Sequence, residues 1–130
     1  MNKATQNKIG GWVSVGVAPC SAPRMTRADA WKKRPVVLKY FAFKEEFKLK
    51  CNKLGIALND EVYLRFHVQI PKTCKKKYKE GQFHQEKPDI DNLCKAVMDS
   101  FGINDCRVHT LVASKYWSEN PRIEIWQNNC

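Results

Sequence analysis

No apolar run in these 130 residues approaches the roughly 20 needed to cross a bilayer, and the polar opening Met1–Lys8 leads into no signal-peptide core. The expectation is a protein that stays in the cytosol, with no membrane partner. Close cysteine pairs are missing too. Cysteines stand at 20, 51, 74, 94, 106 and 130 with no CxxC among them, which speaks against a structural zinc site and for reduced thiols. Cys94 and Cys106 read as small apolar residues. Internal repeats and low-complexity tracts are absent, and the length suits one domain with its own core. Acidic residues are scarce: 13 Asp and Glu face 23 Lys and Arg, a formal charge of +10. Such a surplus favours a polyanionic partner through counterion release. No small-molecule cofactor is expected.

What is present organises into alternating elements. Residues 1 to 10 are polar and expected to be loose, so the domain proper runs from 11 to 130. Trp12, Val13, Val15 and Val17 alternate with small polar residues as a half-buried strand does, and Pro19 ends the run. A polar loop follows, with Arg24 and then Trp31-Lys32-Lys33-Arg34-Pro35. Its cations could contact phosphates while Trp31 stacks on an unpaired base, or Trp31 could simply pack on the core. After Pro35 the pattern becomes helical: Tyr40, Phe43, Phe47, Cys51 and Leu54 keep one face, and Gly55 is the stop. Val62, Leu64, Phe66, Val68 and Ile70 then alternate as the clearest strand, with His67 on its mixed face as a structural residue.

Residues 72 to 87 have no apolar periodicity and read as a basic loop. A charge run is usually a solvated face; this one, with Lys75, Lys76, Lys77 and Lys87, feeds straight into an aspartate pair, which favours substrate positioning. His84, near the loop's tip, could be a fourth metal ligand, but a histidine there is more often free and reads so. Beyond Asp105, residues 108 to 117 and 122 to 126 read as strands separated by the turn residues Ser118-Glu119-Asn120-Pro121. The order β-α-β-α-β-β implies a single α+β domain on a mixed sheet ending in a C-terminal hairpin.

The chemistry concentrates at Lys87-Pro88-Asp89-Ile90-Asp91-Asn92-Leu93-Cys94-Lys95, followed by Asp99 and Asp105. Ile90, Leu93, Val97 and Phe101 mark one buried helical stripe, closed by Gly102 as a left-handed cap. Pro88 keeps the chain extended into Asp89, so the helix is expected to begin near Asp91 or Asn92. Asp91, Lys95 and Asp99 then share a polar face. Each acid alone has an ordinary explanation: a helix cap contributes about 1 kcal/mol and an i, i+4 ion pair a few tenths. The set is harder to dismiss. Two carboxylates about 4 Å apart repel by roughly 4 kcal/mol at an effective dielectric of 20. If Asp105 joins Asp89 and Asp91, Lys95 alone cannot neutralise them. A hard divalent cation with oxygen ligands is the natural occupant.

The same string closely resembles the RusA family of Holliday junction resolvases, common on bacteriophages and prophages. The likeness rests on Lys87-Pro88-Asp89-Ile90-Asp91-Asn92-Leu93 with Lys95, then Asp99, then Asp105 ahead of a strand that holds Lys115. Pro23-Arg24-Met25-Thr26 and Trp31–Pro35 extend it toward the N-terminus. The resemblance implies a homodimeric endonuclease of a bacterial host's cytosol, dependent on Mg²⁺ with Mn²⁺ as a substitute, that places paired nicks in branched DNA, above all four-way junctions. It implies Asp89, Asp91 and Asp105 as metal ligands and Lys95 as the catalytic lysine. Arg24, Lys32, Lys33, Lys75, Lys76, Lys77, Lys87 and Lys115 are the expected DNA contacts. Two departures stand out: Asn104-Asp105 replaces the two adjacent acids often found in the family, and Glu86-Lys87-Pro88 stands where further arginines are common. The competing readings are a noncatalytic basic nucleic-acid-binding protein, a phosphohydrolase acting on a small nucleotide, and a zinc-stapled interaction module.

Overall fold

The computed structural model describes residues 10–23, 34–102 and 105–127, Asp105 by its backbone only. Six elements follow one another: β1 (Gly11–Val15), α1 (Pro35–Leu54), β2 (Glu61–Gln69), α2 (Ile90–Phe101), β3 (Thr110–Ser118) and β4 (Arg122–Gln127). Tight 3-10 turns stand at Lys72–Cys74 and Asp105–Arg107. The order of helices and strands is the one expected, on a mixed sheet.

The strands lie in the order β1-β4-β2-β3, with β3 parallel to β2 and β4 antiparallel to both β1 and β2. The last two strands therefore do not form the expected hairpin, because β2 lies between them. The link from Ser118 to Arg122 has to cross the end of β2, a span of about 10 Å at two strand spacings. Glu80 grips it there, its carboxylate accepting from the Ser118 hydroxyl at 2.7 Å and the Glu119 amide at 2.8 Å. Those two bonds hold the Glu80 carboxyl below its ordinary pKa. The position beside β3 that a hairpin strand would need is partly taken by residues 81–84. Gly81 and His84 amides donate to the Trp117 and Lys115 carbonyls, and the Trp117 amide donates to Gln82. The stretch Lys115–Trp117 of an otherwise open edge is thereby paired.

Register sorts the side chains into two faces. Val13, Ile125, Leu64 and Ala113 line up across the sheet, and so do Val15, Ile123, Phe66 and Lys115. This is the face both helices cover, and Val15, Phe66 and Ile123 have no exposed surface there. Burying one such side chain contributes about 1.5–3 kcal/mol. The opposite face carries Trp12, Trp126, Arg65, His67 and Glu124. There His67 Nε2 meets Glu124 at 2.7 Å and Arg65 lies over the Trp12 ring at 3.9 Å, as befits a structural histidine.

Pro35 starts α1, and Gly55 ends it with φ 70°. Val37, Tyr40, Phe43, Phe47 and Cys51 face inward; Leu54, expected among them, is exposed because it stands in the final turn beyond the edge of the core. Phe47 joins the helices, stacking on Phe43 at 5.4 Å and meeting the edge of Phe101 at 5.9 Å. In α2, Leu93 and Val97 are buried and Ile90 and Phe101 flank them. Gly102, at φ 66°, closes it as a left-handed cap. The cysteines among the described residues are free thiols. Cys94 is buried as expected, whereas Cys106 is exposed, because its turn lies outside the helix-covered face. Among the described residues, no helix is long and apolar enough to cross a membrane.

Candidate active site

The first turn of α2 presents the aspartate pair. Asp89 is the N-cap, extended at φ −71° and ψ 143°, one residue earlier than the sequence suggested. Its carbonyl accepts the Leu93 amide, yet its carboxylate makes no capping bond. A cap side chain normally bonds an amide in the first turn; here that carboxylate is left exposed to solvent. Asp91, also exposed, accepts the Asn92 amide at 2.9 Å through one oxygen. Its charge adds to burial in pushing the Cys94 thiol up to about 11, so that cysteine is a neutral packing group.

One turn further, Lys95 pairs with Asp99 at 3.7 Å. Asp99 also accepts the hydroxyl of Tyr40 on α1, at 2.5 Å. Asp99 is thereby tied both to Lys95 and to the neighbouring helix.

The approach to Asp89 is held by Lys115. Its ammonium donates to the carbonyls of Glu86 and Pro88, each at 2.7 Å, so a residue of β3 fixes the two ends of the 86–88 segment. Lys115 reaches them because it shares the helix-covered face of the sheet with Phe66. Sequence reading assigned this lysine to DNA alone. The signal was present in the alternation: Ala113, Lys115 and Trp117 fall on one face of a strand, and two of the three are apolar.

Trp117 anchors the rest of the loop, with Tyr78 stacked on it at 4.1 Å and His84 against it at 4.2 Å. His84 is 3% exposed rather than free. Its main chain pairs with β3 while its ring turns inward. Burial, with the charge of Lys115 nearby, lowers its pKa, so the ring is neutral at neutral pH. Phe83, its neighbour, turns the other way, stacks on Tyr116 at 5.4 Å and is 63% exposed.

Of the expected DNA-contacting cations, Arg24, Lys32 and Lys33 lie outside the described residues. The chain just before them is placed, since the Ala22 amide donates to the Asn92 carbonyl at 3.1 Å, beside the first turn of α2. Lys75 pairs with Glu119 at 3.7 Å and Lys77 lies over the Tyr78 ring at 5.2 Å. Lys76 and Lys87 are exposed. A cavity of about 310 Å³ between Trp12, Trp126 and Asn59 stands at the start of β2, away from these groups.

Asp89 and Asp91 suit a hard cation: both are oxygen donors, both are exposed, and Asp89 has no capping bond to give up. The side chain of Asp105 lies outside the described residues, and among the described residues no three His, Cys, Asp or Glu side chains stand together as a metal group.

The family model described as endodeoxyribonuclease RusA matches residues 20–126, from just after β1 to the end of β4. The chain belongs to the RusA family. No curated protein matches it. The family is one of DNA endonucleases, hydrolases that in general depend on a metal and are associated with Holliday junction resolution. The RusA match spans both α1, which carries Tyr40, and the Asp89–Lys95 segment.

Proposed function

We propose that the chain is a homodimeric, Mg²⁺-dependent endonuclease that resolves four-way DNA junctions by paired, symmetric nicks, in recombination and repair. The observation that carries this reading is the Asp89 carboxylate, left without a capping bond at the start of α2, beside an exposed Asp91 that stands one turn ahead of Lys95. Family membership supplies the nuclease chemistry, and the surplus of cations suits a polyanionic substrate.

Asp89, Asp91 and Asp105 would hold the ion. When bound, such an ion supplies the Lewis acidity that phosphodiester hydrolysis uses. Lys95 faces the charge that builds on the phosphate oxygens, and Asp99 keeps its ammonium in place. Lys75, Lys76, Lys77 and Lys87 draw the backbone of the substrate toward the aspartates.

Two arguments support the dimer. A four-way junction has near two-fold symmetry, so a two-fold pair of chains presents one site to each of two opposed strands. In addition, the 12 residues of α2 span about 18 Å, which sets Asp91 and the turn at Asp105–Arg107 at opposite ends of one helix. A second copy of the chain can bring its own Asp105 to the first copy's aspartate pair.

The test is cleavage of an immobile four-way junction labelled on each strand in turn, with and without Mg²⁺. Wild-type protein is expected to nick two opposed strands only when the ion is present. Asp91→Asn should abolish nicking while junction affinity holds or tightens slightly, since a negative charge facing DNA is removed. Nicking that survives this substitution contradicts the metal role, and binding without any cleavage by wild type returns the noncatalytic reading.

A further inference from the structure

We propose that Tyr40 is a positioning residue for Lys95, acting from α1 through the Asp99 carboxylate. This deepens the reading above and rests on it, since it takes Lys95 as the group that faces the phosphate. The inward face of α1 is Val37, Tyr40, Phe43, Phe47 and Cys51. Tyr40 alone among these carries a hydroxyl. At 3% exposure the ring is core, and a phenylalanine would fill the same space with no polar atom to satisfy. The hydroxyl donates to Asp99 Oδ2 at 2.5 Å, and the same oxygen stands 3.7 Å from Lys95 Nζ.

An exposed i, i+4 pair on a helix contributes only a few tenths of a kcal/mol and leaves both side chains largely free. A carboxylate gripped from a second helix is different, because its rotamer is fixed before the lysine arrives. Lys95, with 55% of its side chain exposed, is then drawn to one place instead of sampling many. Burial and the Asp99 carboxylate both raise the pKa of the Tyr40 phenol, so it remains a donor at any pH at which the protein works. The ammonium of Lys44 lies over the Tyr40 ring at 4.6 Å. The alternative is a plain staple between two helices, which would matter for stability and for nothing else.

The experiment compares Tyr40→Phe, Lys95→Met and the double variant on a four-way junction, with Asp91→Asn as control. Tyr40→Phe is expected to lower kcat about tenfold, since small displacements of a catalytic group are costly, with KM and the junction affinity measured without Mg²⁺ unchanged. In the Lys95→Met background it should change nothing further. A second readout needs no metal: the rate of reductive methylation of Lys95 in the metal-free protein, followed by mass spectrometry, should rise several-fold in Tyr40→Phe. A lower melting temperature with kcat and methylation rate both at wild-type values overturns the proposal. So does an equal loss of kcat with and without Lys95. Nicking that survives Asp91→Asn is a separate result, which overturns the functional reading, and the methylation rate still decides whether Tyr40 controls Lys95.

Discussion

At the scale of single residues, the charge that most shapes the site is one turned inward. Lys115 stands between Ala113 and Trp117 on the covered face, and its ammonium spans the Glu86 and Pro88 carbonyls. Hydrogen bonds to a charged group contribute about 1.5–3 kcal/mol each when well sheltered; this lysine is only half-buried, so about 2 kcal/mol for the pair of bonds is a reasonable total. Lys115→Met keeps the length of the stem and removes both bonds. The variant is expected to lose about that much stability in urea unfolding, and amide exchange at 86–89 should quicken. Cleavage should fall as Asp89 loses its fixed approach. The slope of log affinity against log salt separates this role from direct contact with DNA. An anchoring lysine leaves the slope unchanged, whereas a phosphate contact removed lowers it by about 1. A lower slope with unaltered exchange would return Lys115 to the DNA surface.

At the scale of elements, local pattern was enough wherever an element makes its own signal. The stripe of α2, the left-handed stop at Gly102 and the alternation of β2 each depend on neighbours within a few residues, and each was legible. The crossing from β3 to β4 was not, because the turn residues Ser118–Pro121 are the same whether the strands pair or pass on either side of a third. The order of the basic loop from 72 to 87 is hidden for a similar reason. Its order comes from β3, through Trp117 and Lys115, which lie far along the chain from the residues they hold. The candidate site divides the same way: Asp89, Asp91, Lys95 and Asp99 were visible as a helical set, and Tyr40 was hidden because its partner is 59 residues distant. The fold leaves that loop's cations to solvent. Neutralising Lys75, Lys76 and Lys77 together is expected to flatten the dependence of log affinity on log salt by up to about 3, if each meets one phosphate. Lys75 is shared with Glu119, so its part should be the smallest. Fluorescence anisotropy on a labelled junction from low to moderate salt measures the slope, and an unaltered value would remove the loop from the DNA interface.

At the scale of the whole molecule, the question is how many chains make one site. The sheet gives α2 a fixed course from the end where Lys115 holds the loop to the turn at Asp105–Arg107, about 18 Å along its axis. In the proposed dimer, a second copy related by a two-fold axis would bring its Asp105 to each aspartate pair, and two such sites would then face two opposed strands of a junction. Mixing two inactive variants tests this directly. Asp91→Asn and Asp105→Asn should each be dead as homodimers. In a mixed dimer assembled across two chains, one site carries both substitutions and the other carries neither. Refolding the two variants together should therefore restore nicking on one strand per encounter, without the paired cut. If each site closed within a single chain, both sites of the mixed dimer would carry a substitution and no cleavage would return, even with exchange of chains verified by native mass spectrometry. A mixture that stays inactive under those conditions would rule out the shared site, and restored single-strand nicking would show that each site is assembled from two chains.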